Sequence, residues 1–239
     1  MAHGGNTLWI FPSLTGHGNW TTNPGYNYPN ADLMRVWEAM LKAAEQDQPV
    51  RQSMLYDLVN VGRQVLGNHF MTLRDHFTNA YRRRDELSLN RYGRRMLELL
   101  TDLDRLLSCH GSFLAGKWMD DAARFGTSPE EEAYYLRNAR TLITTWGERG
   151  QSLNDYANRS LAGLTGCYYK PRWEMFITEV CRAVEQGRSF DEKTFNTRVL
   201  NFEQHFADND FRSATRPSDD GLELIRQLVD KYHDAVLNN

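Results

Sequence analysis

Residues 89–106, LNRYGRRMLELLTDLDRL, decide the fold class, because their large apolar side chains fall at Leu89, Tyr92, Met96, Leu99, Leu103 and Leu106. Steps of three and four residues keep one stripe of a helix apolar. Such a stripe is stable in water only when another helix covers it. A covering partner lies just upstream. Met54, Leu58, Val61, Val65, Leu66, Phe70, Leu73, Phe77 and Tyr81 repeat with the helical period and fit antiparallel packing on the 89–106 stripe.

The same pattern extends outward. Asn30 can cap a helix bearing Leu33, Val36, Trp37, Met40 and Leu41, which ends near Asp47-Gln48-Pro49. A shorter helix is predicted from about Phe113 to Phe125. Ser128-Pro129-Glu130-Glu131 reads as a helix start, with Ser128 as cap, Pro129 in the first turn and Glu131 completing a capping box. Its apolar face is Tyr135, Ala139, Leu142 and Trp146, and Gly147 and Gly150 close it. Asn154-Asp155 offers the next cap, for a helix through Leu161, Leu164 and Tyr168. Pro171 predicts a kink or break inside it. Two more helices are predicted, at about 191–208 and about 218–236, the last opened by Ser218-Asp219-Asp220. Period-two alternation is never sustained. The fold class is therefore all-α, a bundle of about seven to eight helices with one long antiparallel pair and one proline-kinked helix.

Residues 1–30 differ from this body. Glycines and prolines there break regular structure, while Trp9, Trp20, Tyr26 and Tyr28 call for a surface to bury against.

Composition excludes several classes. With 239 residues, 41% of them hydrophobic and 25% charged, the chain can build a core and is not wholly disordered. No apolar run approaches the roughly 18 residues of a membrane span. No signal peptide is visible at the N-terminus. A net charge of −3 argues against general nucleic-acid binding. Cys109, Cys167 and Cys181 show no CxxC spacing, so neither a disulfide framework nor a zinc site is indicated.

Few residues suggest chemistry. Arg82, Arg83, Arg84, Arg91, Arg94 and Arg95 can form an anion site, but a junction between helices explains them better, since cations suit a helix C-terminus. His69 and His76 lie two turns apart and would need carboxylates from another helix to hold a metal. Cys109-His110 are chain neighbours whose side chains point apart, so they make no nucleophile and base. The acidic pairs Asp102/Asp104, Asp120/Asp121 and Asp219/Asp220 belong to helix starts or polar faces. No cofactor and no metal is expected. The segment Trp146 to Tyr156 stands apart, because a glycine-bearing polar loop between two aromatics can build a sugar-binding wall. It can equally be a helix end whose Trp146 packs in the core.

At this segment a family resemblance emerges. Trp146-Gly147, then Asn154-Asp155-Tyr156-Ala157-Asn158, Ala162-Gly163-Leu164 and Tyr168-Tyr169-Lys170-Pro171-Arg172-Trp173, resembles the C-terminal helical domain of the alpha-N-acetylglucosaminidases, a glycoside hydrolase family. Tyr56 to Gln64 and Phe113-Leu114-Ala115-Gly116-Lys117-Trp118 resemble two further family stretches. The resemblance implies a parent enzyme with a catalytic (β/α)8 barrel. Its two glutamates would work by the retaining route, their carboxyl groups about 5–5.5 Å apart. This chain has no room for that barrel, which takes roughly 250 residues of its own. No catalytic residue is therefore expected here. Residues 1–30 would be a linker leaving the barrel, and 31–239 the helical domain. By motif position Trp146, Leu153 and Tyr156 would bind substrate, a glycan with terminal alpha-linked N-acetylglucosamine. The partner would be the barrel, with no nucleic acid and no membrane. The chain alone would be inactive, and the parent exported to a periplasmic, extracellular or lysosomal compartment. The alternative is a free-standing helical module that binds protein or glycan without catalysis.

Overall fold

Leu89, Met96, Leu99, Leu103 and Leu106 are all fully buried, so the stripe that decides the fold class is the stripe that meets the core. The computed structural model of the protein describes residues 11–14, 27–46, 49–147, 155–209 and 211–238. Among these, eight α-helices follow in order: α1 (Asn30–Gln46), α2 (Gln52–Arg83), α3 (Glu86–Leu107), α4 (Ala115–Ala123), α5 (Pro129–Leu142), α6 (Lys170–Glu185), α7 (Glu192–Asp208) and α8 (Gly221–Leu237). No strand forms among the described residues, and Leu114 and Ala162 make one isolated parallel bridge. The chain is all-α, as its sequence predicts. None of the described helices is long and apolar enough to cross a membrane.

The helices α2 and α3 meet at a two-residue pivot, Arg84-Asp85. Arg84 takes the left-handed conformation, φ 57°, and its amide returns to the Ala80 and Tyr81 carbonyls. Asp85 then caps α3 by accepting the Ser88 amide at 3.0 Å. Beyond the pivot the His76 ring stacks on Tyr92 at 4.9 Å. Helix α6 presses on α3 where Gly93 leaves no side chain, and a Cβ there would strike Ile177. The α1 helix is fixed by Trp37, whose buried indole N–H donates to the Leu58 carbonyl at 2.9 Å. An aromatic cluster fills the middle, with Phe70 and Phe176 meeting Trp173 edge-on at 4.9 and 5.5 Å. Residues 11–14 lie on this body. Phe11 meets Phe195 edge-on at 5.9 Å, and the Leu14 carbonyl accepts the Thr78 hydroxyl at 3.1 Å. Trp9, Trp20 and Tyr26 lie outside the described residues.

Three expectations need correction, while the start of α5 stands, with Ser128 as cap and Pro129 in the first turn. Asn30 is no local cap. It opens α1, and its side chain reaches across to the Val65 carbonyl and to Asn68. Glu131 reaches back to the Thr127 amide and hydroxyl, while Ser128 accepts the Glu131 amide. Helix α5 ends at Leu142, ahead of Trp146 and Gly147, and buries Leu136, Ala139 and Arg140 instead of the expected Tyr135 and Leu142. The last two line an open groove of about 340 Å³ beside Trp118 and Phe125 of the α4 end. Finally, no helix starts at Asp155. Asp155, Asn158 and Gly163 all have positive φ, which a right-handed helix cannot accept, and the stretch is turn and irregular chain. Regular structure resumes in one wide π turn, Thr165–Tyr169, with Pro171 in the first turn of α6. Proline has no N–H to close a bond there, and a widened turn is a common accommodation of such slack.

Candidate functional site

The turn after α5 is built from threonines whose hydroxyls bond back to the chain. Thr144 is fully buried and its hydroxyl donates to the Arg140 carbonyl at 2.6 Å. Trp146 follows at φ 59°, and its amide donates to the Thr141 carbonyl at 2.7 Å. Asp155, where the described chain resumes, has φ 62° and gives its amide to the Thr144 carbonyl at 3.0 Å. Both ends of the intervening segment are thus tied to one turn. Left-handed conformations cost a non-glycine residue roughly 1–2 kcal/mol each, so surrounding contacts must hold them.

The result is an aromatic pair. Tyr156 stands next to Asp155, 54% exposed, and its ring centroid lies 5.1 Å from that of Trp146 at a 54° tilt. Trp146 is half-buried. The sequence left Trp146 open between a core position and a surface wall. The structure places it at the surface edge, beside an exposed tyrosine. Leu153, the third expected wall residue, lies outside the described residues.

Beneath the pair sits a buried ionic centre. The Asp155 carboxylate turns inward and accepts both ends of the Arg172 fork, at 2.6 and 2.8 Å. Glu203 of α7 closes the other side, 3.0 Å from Arg172 Nη1. The side chains of Arg172, Asp155 and Glu203 are 0%, 5% and 1% exposed. The guanidinium also lies 4.7 Å from the Tyr168 ring centroid and 5.5 Å from that of Tyr169. Burial pulls against the charge on Arg172, but Asp155, Tyr168 and Glu203 outweigh it and push the guanidinium well above its ordinary value. Burial pushes the Asp155 carboxyl up, and the Arg172 fork opposes it.

A second buried arginine braces the same turn. Arg140 Nε donates to the Ala207 carbonyl at 2.9 Å. Ala207 is one helical turn from Glu203, so one face of α7 anchors both arginines. The chain after Tyr156 is pinned as well. Arg63 Nη1 donates to Ser160 Oγ at 3.2 Å, and Asp104 of α3 accepts the Gly163 and Gly166 amides at 2.7 and 2.8 Å.

The remaining candidates do not converge on a site. His69 is buried, and burial, with Arg95 and His76, pulls it down to about 4, so it is neutral near pH 7. Burial pushes the Cys109 thiol up to about 12, which leaves it protonated and inert. Among the described residues no group of three or more His, Cys, Asp or Glu side chains can hold a metal ion. Asp102 accepts from Lys231 and the Tyr232 hydroxyl at 2.6 and 2.8 Å, a structural tie between α3 and α8. Arg84 donates to the Arg188 carbonyl, and Arg91 lies over its neighbour Tyr92. What the site offers is a pair of aromatic faces and a phenol. That suits stacking on the C–H face of a sugar.

Residues 1–231 match the family model described as Alpha-N-acetylglucosaminidase (NAGLU) C-terminal domain, and the chain belongs to that family. The relatives are sugar-cleaving enzymes. The chain is 32% identical over 207 residues to the Alpha-N-acetylglucosaminidase of Homo sapiens, covering 86% of this chain and 28% of the human protein. Among solved structures it resembles the Family 89 Glycoside Hydrolase from Clostridium perfringens in complex with PUGNAc, with a TM-score of 0.84 and 25% identity. That match covers 97% of this chain and 27% of the bacterial one. The clostridial enzyme in complex with its substrate GlcNAc-alpha-1,4-galactose matches with the same TM-score and coverage. The chain therefore spans about a quarter of the length of the relatives it matches.

Proposed function

We propose that this chain forms one wall of the substrate cleft in a retaining alpha-N-acetylglucosaminidase. Its Trp146 and Tyr156, with Leu153 between them in the chain, contact a terminal alpha-linked N-acetylglucosamine. The catalytic glutamates belong to a (β/α)8 barrel elsewhere in the parent polypeptide, and residues 1–30 connect that barrel to the bundle. The observation that carries this reading is the pairing of a half-buried Trp146 with an exposed Tyr156, 5.1 Å apart, on a turn held from below. Membership of the family supplies the chemistry. The parent enzyme acts outside the cytosol, as exported or lysosomal members of such a family do.

Two assays test the proposal. The isolated chain should not hydrolyse an aryl alpha-N-acetylglucosaminide, because the catalytic glutamates of this reading belong to the barrel. Turnover would place the chemistry in this chain. In the full-length enzyme Trp146→Ala should lower kcat/KM while this bundle melts within a few degrees of the parent. Loss of a core tryptophan would instead cost about 3–5 kcal/mol. A large melting loss with unchanged kcat/KM would assign Trp146 to the core.

A further inference from the structure

Phe11-Pro12-Ser13-Leu14 form no helix, yet the bundle holds them at both ends. A proline steers the residue before it into extended chain, so the Phe11 ring must find its neighbours far along the sequence. It finds two. The ring meets Phe195 edge-on at 5.9 Å and lies 5.7 Å from the Arg172 guanidinium. Pro12 follows, buried. At the other end Thr78 of α2 donates its hydroxyl to the Leu14 carbonyl at 3.1 Å. A helical threonine has a nearer acceptor, the carbonyl four residues back. Thr101, Thr141 and Thr197 all use it. Thr78 instead serves a segment 64 residues upstream, whose carbonyl has no ladder to join.

What the segment covers is Arg172. Asp155, Glu203, Tyr168, Tyr169 and Phe11 all lie against the guanidinium. The first four are themselves buried and form the inside of the cage. Phe11 is half-buried, with one side on the arginine and the other towards water. We infer that residues 11–14 are a strap, docked by Thr78, whose Phe11 ring is the outer cover that keeps water from Arg172. Water admitted there would weaken each ion pair of the centre, because attraction between charges falls as the local dielectric rises. If the chain upstream leads to a barrel, as proposed above, it arrives seated on the bundle and not through a free tether. The strap itself does not depend on the sugar-wall reading.

Arg172 carries its own reporter. Its Nε is buried and has no hydrogen-bond partner among the described residues, so burial and not a hydrogen bond protects that proton from exchange. The test follows Arg172 Nε–H exchange by NMR in the full chain with nitrogen-labelled arginine. The backbone amides of Leu99 and Leu103, fully buried on α3, are the reference. Phe11→Ala should speed Nε–H exchange about tenfold and leave the reference unchanged. Phe11→Leu restores an apolar cover and should recover most of the protection. Thr78→Val removes the hydroxyl at nearly constant shape, and the loss of one hydrogen bond should speed the same exchange about two- to tenfold. Unchanged Nε–H exchange in folded Phe11→Ala would overturn the cover, and unchanged exchange in Thr78→Val would overturn the docking. Acceleration shared equally by Leu99 and Leu103 would report general loosening and also overturn the proposal. No sugar enters the experiment, so its failure leaves the wall reading standing, and unchanged kcat/KM in the Trp146→Ala enzyme leaves the strap standing.

Discussion

Arg172→Met isolates the energetic consequence of the buried ionic centre. Methionine fills much of the same volume among Tyr168, Tyr169 and Phe11 but removes the guanidinium that pairs with both Asp155 and Glu203. Asp155, 5% exposed, would lose the guanidinium that takes both its oxygens, and Glu203, 1% exposed, would lose its ion pair to Arg172. Breaking a buried pair in this way costs about 3–5 kcal/mol. For a domain of this size each kcal/mol lowers Tm by about 2–4 °C, so a fall of about 6–20 °C is expected by calorimetry at pH 7. The pH dependence carries the signature. Without the Arg172 fork, burial alone acts on the Asp155 carboxyl and keeps it above its unfolded value, so the unfolded state binds fewer protons near neutrality. The variant therefore regains stability relative to the parent as pH falls. At about 1.4 kcal/mol per pH unit for this one carboxyl, the gap should narrow by about 2–3 kcal/mol between pH 7 and pH 5. A variant melting within 3 °C of the parent at pH 7, or a gap that widens on acidification, would refute the reasoning.

Gly62→Ala should destabilise despite alanine's better helix propensity, because its Cβ would lie 2.9 Å from Trp37 Nε1 and closer still to the adjoining ring carbons. Overpacking of about 1–3 kcal/mol outweighs a propensity gain of about 1 kcal/mol, and chemical denaturation should show a net loss. His69, pulled down to about 4 from 6.5, must charge when the chain unfolds in mild acid. Its contribution is complete above pH 6.5 and fades as pH falls towards 4, a loss of about 2–3 kcal/mol by pH 4.5 that His69→Gln should remove from the stability profile.

Helix positions were legible wherever the core reads one face. The stripe at 89–106 and the helices predicted at about 191–208 and 218–236 needed only periodicity and caps, and they stand as Glu86–Leu107, Glu192–Asp208 and Gly221–Leu237. Legibility failed between Ile143 and Tyr169, where tertiary ties override local preference. Asp155 looks like a helix cap from its neighbours, but Arg172, 17 residues on, takes its carboxylate. No spacing rule links the two, and Glu203 on α7 carries no local signal at all. A buried arginine beside paired tyrosines, Tyr168-Tyr169-Lys170-Pro171-Arg172, was the one hint available, because a charge inside an apolar run needs a partner. The proposed wall residues Trp146 and Tyr156 were reached through family resemblance. Composition alone left Trp146 divided between core and surface.

The most direct test of the sugar-wall proposal is a crystal structure of the full-length enzyme with N-acetylglucosamine bound. The sugar should lie against the Trp146 and Tyr156 rings, with two barrel glutamates at its anomeric carbon about 5–5.5 Å apart. A sugar bound with no atom of residues 146–156 in contact would contradict it.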